Sequence, residues 1–220
     1  MSVTNKDEGW KTATGLILGY TIHCSLRKLF SMSLAEISLE LQFSKVKIGE
    51  IYSIFYIAYG CSKLFSGVLS DFVSSKIMII NCLLWAAVVF YLISIVSNFS
   101  MLCMLMCFNG VAMGLGPPAF SKLVITSIPS SWRGSVWSTI SLGGNIGYML
   151  SPMVMIAVTG TTWRIILRNT SILGFITAII CYLLINEIIS DIKATNSQTD
   201  LQVEKKETQA TVYHYNNKLM

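Results

Sequence analysis

Long apolar runs separated by short polar joins dominate the chain from Thr12 onward. No charged side chain occurs between residues 77 and 121, and none between 134 and 163. The first run alone is long enough for two helices of about 20 residues, the length that crosses a hydrocarbon core. The pattern predicts six spanning helices, at about 12–34, 48–70, 77–97, 101–126, 135–159 and 165–187. The joins are short: Ser97 to Ser100, Ile128 to Gly134 with Pro129 inside it, and Gly160 to Arg164. A β-barrel would instead show short alternating segments between turns. The expected architecture is therefore all-α, a six-helix transmembrane bundle over 12–187. A polar N-terminus at 1–11 precedes it, and an aperiodic polar tail at 188–220 follows, with the composition of a disordered segment.

Composition agrees. The chain is 53% hydrophobic and 12% charged, whereas soluble domains carry about 25% charged residues. Too few charges remain to coat a soluble core. The first residues carry both signs (Lys6, Asp7, Glu8, Lys11) and read as a cytoplasmic terminus rather than a signal peptide. All six cysteines fall in predicted spans, and Cys103 and Cys107 share a face with no His or carboxylate beside them. They read as small apolar filler, so no metal or cofactor is expected. No Ser/His/Asp set and no phosphate-binding glycine loop appears, so no enzyme is expected.

An even number of spans puts both ends on one side. On that side lie Lys6, Lys11, Lys76, Arg133, Lys193, Lys205, Lys206 and Lys218; on the other, Lys45, Lys47, Arg164 and Arg168. Positive residues favour the cytoplasm, so both termini are expected there. Asn98-Phe99-Ser100 forms a glycosylation sequon in a very short loop on the far side. Small residues recur four apart at Gly15/Gly19, Ser62/Ser66/Ser70, Gly110/Gly114 and Gly143/Gly147. In lipid such faces let helices approach closely. Pro117-Pro118 sit deep in the fourth helix, where freed carbonyls need neighbours or a cavity.

The net charge of +5 does not point to nucleic acid, because Arg27, Lys28, Lys63 and Lys122 fall within spans. The carboxylates Glu36, Glu40, Glu50, Asp71 and Glu187 all lie near span ends. Each mid-membrane cation costs about 2.5–3.5 kcal/mol on insertion scales, unless it lines a watery cavity or meets an anion. An anionic ligand is the economical solution, and the planar fork of Arg suits phosphate. Lys122, close to its span end, also suits snorkelling to the headgroups. Adjacent residues on a helix point about 100° apart, so one of Arg27 and Lys28 is expected to face the cavity and the other its edge or a neighbouring helix. His23, one turn before Arg27, reads as a buried neutral His bonded to backbone, with a proton or hydrogen-bond partner as the alternative.

The segments "RKLFS" (27–31), "AYGCSKLFSGVLSD" (58–71), "NGVAMGLGPP" (109–118) and "TWRIILRNTSILG" (162–174) resemble, in order, the N-terminal half of organophosphate:phosphate antiporters of the major facilitator superfamily. Within that family they are most similar to the glucose-6-phosphate translocase branch of the endoplasmic reticulum membrane. The resemblance implies exchange of a phosphorylated sugar for inorganic phosphate. It implies that Arg27 binds the phosphate group, that Lys28, Lys63 and Lys122 occupy basic positions of the site, and that Tyr20 is an aromatic lining residue. It also implies that Gly67 permits the turn after the second helix, while Asp71 and Lys76 tie that loop to neighbouring helix ends as a gate latch. Departures are His23-Cys24 in place of a Tyr pair, Pro117-Pro118-Ala119 in place of Trp-Pro-Pro, and Gly144 in place of a His. Family transporters have two such halves with the site between them. Three expectations follow: half of a sugar-phosphate antiporter, a homodimer that mimics both halves, or a non-transporting interaction, regulatory or sensor protein that binds a full-length partner.

Overall fold

α1 (Val3–Glu40) opens the structure, a computed structural model that describes residues 3–157 and 162–185. There follow α2 (Lys45–Phe72), α3 (Ser75–Ile95), α4 (Phe99–Gly114), α5 (Gly116–Ser127), α6 (Arg133–Ala157) and α7 (Trp163–Leu184). α4 and α5 are two pieces of one span, parted only at Leu115. The six expected helices are thus all present, and no strand occurs among the described residues. The expected tail at 188–220 and the ends of the fifth and sixth expected helices lie outside them.

Three spans, Ser75–Ile95, Phe99–Ser127 and Trp163–Leu184, are apolar and long enough to cross a membrane on composition alone. α1, α2 and α6 are long enough at about 57, 42 and 38 Å, taking 1.5 Å per residue, but they are more polar. α1 and α2 carry Arg27, Lys28 and Lys63, and α6 is rich in Ser and Gly. α1 runs well past the expected 12–34, because hydropathy marks where lipid ends and not where a helix must. No Pro occurs before Glu40, and Gly9, Gly15 and Gly19 lie inside the helix without ending it. It ends where Gln42 turns left-handed (φ 52). The Phe43 N–H then bonds the Ser38 carbonyl at 2.9 Å and the Gln42 amide caps the Leu39 carbonyl at 2.9 Å, a helix ending of the Schellman type.

α1 packs on α6 and α7, α2 on α4 and α5, and α3 on α4, α5 and α7. The small-residue stripes sit at these contacts. A Cβ on Gly110 would lie 2.5 Å from the Phe55 carbonyl, and one on Gly114 2.5 Å from that of Tyr59, so α2 and α4 meet backbone to backbone. Gly147 does the same for α6 against the Thr21 carbonyl of α1, while Gly143 meets the Thr21 hydroxyl, and Gly15 and Gly19 make room on α1 for side chains at the end of α7. The serine stripe of α2 faces the α4/α5 break. The Ser62 hydroxyl donates to the Val111 carbonyl at 2.6 Å and Ser66 to that of Leu115 at 3.1 Å. Pro117 and Pro118 fall in the first turn of α5, where a missing N–H is tolerated. Gly67 does not make the expected turn. It lies inside α2 with open space around it, and the chain turns only at Val73-Ser74.

Candidate functional site

α1 presents Arg27 half-buried between two flanking helices. Its guanidinium carbon is 5.4 Å from the ring centroid of Tyr59 on α2 and 5.4 Å from that of Tyr148 on α6. Each such contact is worth about 0.5–2 kcal/mol, and together they fix the plane of the fork. No carboxylate among the described residues neutralises it. The ion pairs among the described residues are Lys122–Asp71 and Arg164–Glu40. Arg27 lines an open cavity of ≈ 430 Å³ with Lys28, Ser31, Tyr56, Tyr148, Met149 and Pro152. That volume is in the range of small-molecule sites. Lys28 therefore lies at the same cavity, and of the two places expected for the second cation, the cavity's edge and a neighbouring helix, the structure has it at the cavity. The cavity is wide enough to span the angle between adjacent residues. Two cations with no carboxylate at hand, walled by tyrosines and a serine, make an environment that attracts an anion and offers hydroxyl donors to it.

Lys63 is exposed on α2, and its Nζ lies 6.0 Å from the same Tyr59 ring that Arg27 stacks on. It adjoins the site through that ring without lining the cavity. Tyr20 stands away from the cavity, edge-on to Phe120 at 5.3 Å. Gly144 makes room for it, since a Cβ there would lie 2.8 Å from the Tyr20 ring. Lys122 is likewise not brought to Arg27. Its ammonium bonds Asp71 at 2.9 Å and the Ser70 carbonyl, joining α5 to the end of α2. Lys76 packs over the Tyr182 ring at 4.7 Å, joining the start of α3 to the end of α7. His23 is fully buried, and its Nδ1 lies 3.5 Å from the Cys82 sulfur rather than on backbone. The bundle leaves a thiol, not a carbonyl, at that point.

Sequence reasoning passed over Tyr59, Tyr148 and Tyr56. The signal was present in part: Tyr52, Tyr56, Tyr59 and Lys63 follow one another at helical spacing on α2. Tyr148 carried no such signal, because only the packing of α6 on α1 brings it to Arg27. A second cluster at the opposite end was also missed. Glu40 accepts from the Trp163 indole at 2.5 Å and from Arg164 at 3.1 Å. Arg164 also donates to the Ser94 carbonyl and the Ser97 hydroxyl, each at 3.0 Å. This clasp joins the ends of α1, α3 and α7.

Residues 16–214 match the family model described as Major Facilitator Superfamily. A probable hexose phosphate transport protein of Chlamydia trachomatis is 31% identical over 150 residues, covering 68% of this chain and 33% of that protein. The membrane sensor protein UhpC of Salmonella typhimurium is 30% identical over 149 residues, covering 67% and 34%. A glycerol-3-phosphate transporter of Bacillus subtilis is 27% identical over 179 residues, covering 79% and 40%. The chain thus spans between a third and two fifths of the length of these relatives. Among solved structures, a bacterial homolog of the human lysosomal transporter Spinster superposes with a TM-score of 0.70 at 15% identity, over 82% of this chain and 43% of that one. It supports the fold alone.

Proposed function

The chain belongs to the Major Facilitator Superfamily, and from that premise we propose that it is the N-terminal half-bundle of a phosphate-ester transporter, with Arg27 as its phosphate ligand. The observation that carries this is the Arg27 fork, held between Tyr59 and Tyr148 beside Lys28 with no carboxylate partner among the described residues. Relatives named for hexose phosphate and glycerol 3-phosphate support an organic phosphate as cargo. Glucose 6-phosphate, exchanged for inorganic phosphate without chemical conversion, is the first candidate. The endoplasmic reticulum, with both termini cytoplasmic, is the proposed membrane, on the resemblance and the lysine and arginine balance.

Superfamily transporters of this kind work by rocking one half against the other around a site between them. The exposed apolar and aromatic faces of α2 (Tyr56, Leu64, Phe65, Val68) and α6 (Leu142, Ile146, Met149, Met153) suit contact with a second half. That half is either another copy of this chain or a longer partner. Purified chain in liposomes loaded with inorganic phosphate, given labelled glucose 6-phosphate, tests the proposal. Exchange is expected to need Arg27; exchange that survives Arg27→Ala refutes the assignment. A second reading, a sugar-phosphate sensor, is favoured by the relatives named as membrane sensors. It predicts Arg27-dependent binding without exchange.

A further inference from the structure

Behind the Arg27 cavity lies a second, partly enclosed chamber of ≈ 10 Å³, lined by Arg27, Ser31, Tyr52, Tyr56 and Asn109 together with phenylalanine rings. It shares Arg27, Ser31 and Tyr56 with the outer cavity, so the two back directly onto one another. Asn109 comes from α4 and is fully buried. Neither its Oδ1 nor its Nδ2 finds a hydrogen-bond partner among the described residues. Buried side-chain amides are rarely left so. The other polar groups of the chamber do not serve it: the Tyr52 hydroxyl and Ser31 pair with each other at 2.8 Å, and Tyr52 also donates to the Ser31 carbonyl at 2.8 Å. The chamber is about the size of one water oxygen.

We infer that Asn109 is a specificity-determining residue that reads one hydroxyl group of the organic phosphate whose phosphate sits on Arg27. This rests on the phosphate reading of Arg27. An amide offers one donor and one acceptor side by side, the complement of a hydroxyl, which is both. A phosphate dianion is a poor match, because its oxygens accept and the Asn109 Oδ1 has nothing to take from them. The outer cavity thus holds the charge and the inner chamber tests for a neutral oxygen at a fixed reach from it. Whether an ester carries a hydroxyl there sets its affinity.

The test titrates the full chain in lipid nanodiscs with methyl phosphate, an ester without a hydroxyl, and with glycerol 3-phosphate. The unmodified chain is expected to favour glycerol 3-phosphate about tenfold, as a pair of neutral hydrogen bonds allows. Asn109→Leu is expected to weaken glycerol 3-phosphate to the level of methyl phosphate and leave methyl phosphate within about twofold. Asn109→Ala, readily accepted in a helix, is expected to do the same and carries the test if the leucine variant does not fold. Equal binding of the two esters by the unmodified chain, a preference that persists in the variants, or equal loss of both esters each overturns the role of Asn109 while leaving Arg27 in place. Failure of the unmodified chain to bind either ester overturns the phosphate reading itself, and this inference with it.

Discussion

At the scale of single residues, the contrast between Arg27 and Lys122 is the most informative. Both are cations within expected spans, and the structure gives them opposite surroundings. Lys122 has a carboxylate and a carbonyl; Arg27 has two tyrosine faces and a cavity. Arg27→Lys keeps the charge but loses the planar fork and much of the stacking. It is expected to weaken inorganic phosphate binding by about tenfold, read by calorimetry on the chain in nanodiscs. Lys122→Met is expected to leave phosphate affinity within about twofold; a tenfold loss would return Lys122 to the site. Glycines separate as sharply. Gly110→Ala and Gly114→Ala place a methyl against backbone carbonyls and are expected to destabilise by about 1–3 kcal/mol each. Gly60→Ala, with nothing within 4 Å, is expected to be neutral or stabilising by up to about 1 kcal/mol. Thermal melts in detergent read both.

Between elements, polar side chains do what apolar packing in lipid does not, since lipid tails are as apolar as the helix faces. α2 is stitched to α4 and α5 by Ser62, Ser66 and the Lys122–Asp71 pair. α1, α3 and α7 are clasped at the other end by Glu40, Trp163 and Arg164. The Lys122–Asp71 pair is largely exposed on the Asp71 side, so a double-mutant cycle with Asp71→Asn and Lys122→Met is expected to give a coupling of about 1 kcal/mol or less. Trp163→Phe removes one donor to Glu40 and is expected to cost about 1 kcal/mol. Glu40→Ala is expected to cost more, because it strips both Trp163 and Arg164 of their acceptor. A melt in which Glu40→Ala matches the unmodified chain would remove the clasp from the list of what holds α1 to α7.

The described residues form one bundle with an open cavity. Its cation site uses α1, α2 and α6, the spans too polar to qualify for the membrane on composition alone. That coincidence has a physical cause: helices that line a polar cavity carry polar residues toward it and leave their apolar faces elsewhere. Pairing in the membrane is testable by cross-linking through Cys61, which is exposed on α2. A cross-linked dimer is expected if two copies supply both halves, and a purely monomeric species excludes the homodimer.

Residue order alone determined that this chain is helical and membrane-embedded, how many spans it has, and that Arg27 is a costly cation inside one of them. Long uncharged runs and the cost of charge in hydrocarbon are local properties, legible without any fold. The close-packing stripes were legible for the same reason, as small residues at a four-residue repeat. Only the tertiary structure decided which cations share a cavity. It turned Lys122 to Asp71, drew Lys28 in beside Arg27, and brought Tyr148 from α6 across to the Arg27 fork. It also buried Asn109 behind that fork with no hydrogen-bond partner among the described residues. Such contacts join residues far apart in sequence, and their geometry is set by how whole helices cross, which no local pattern encodes.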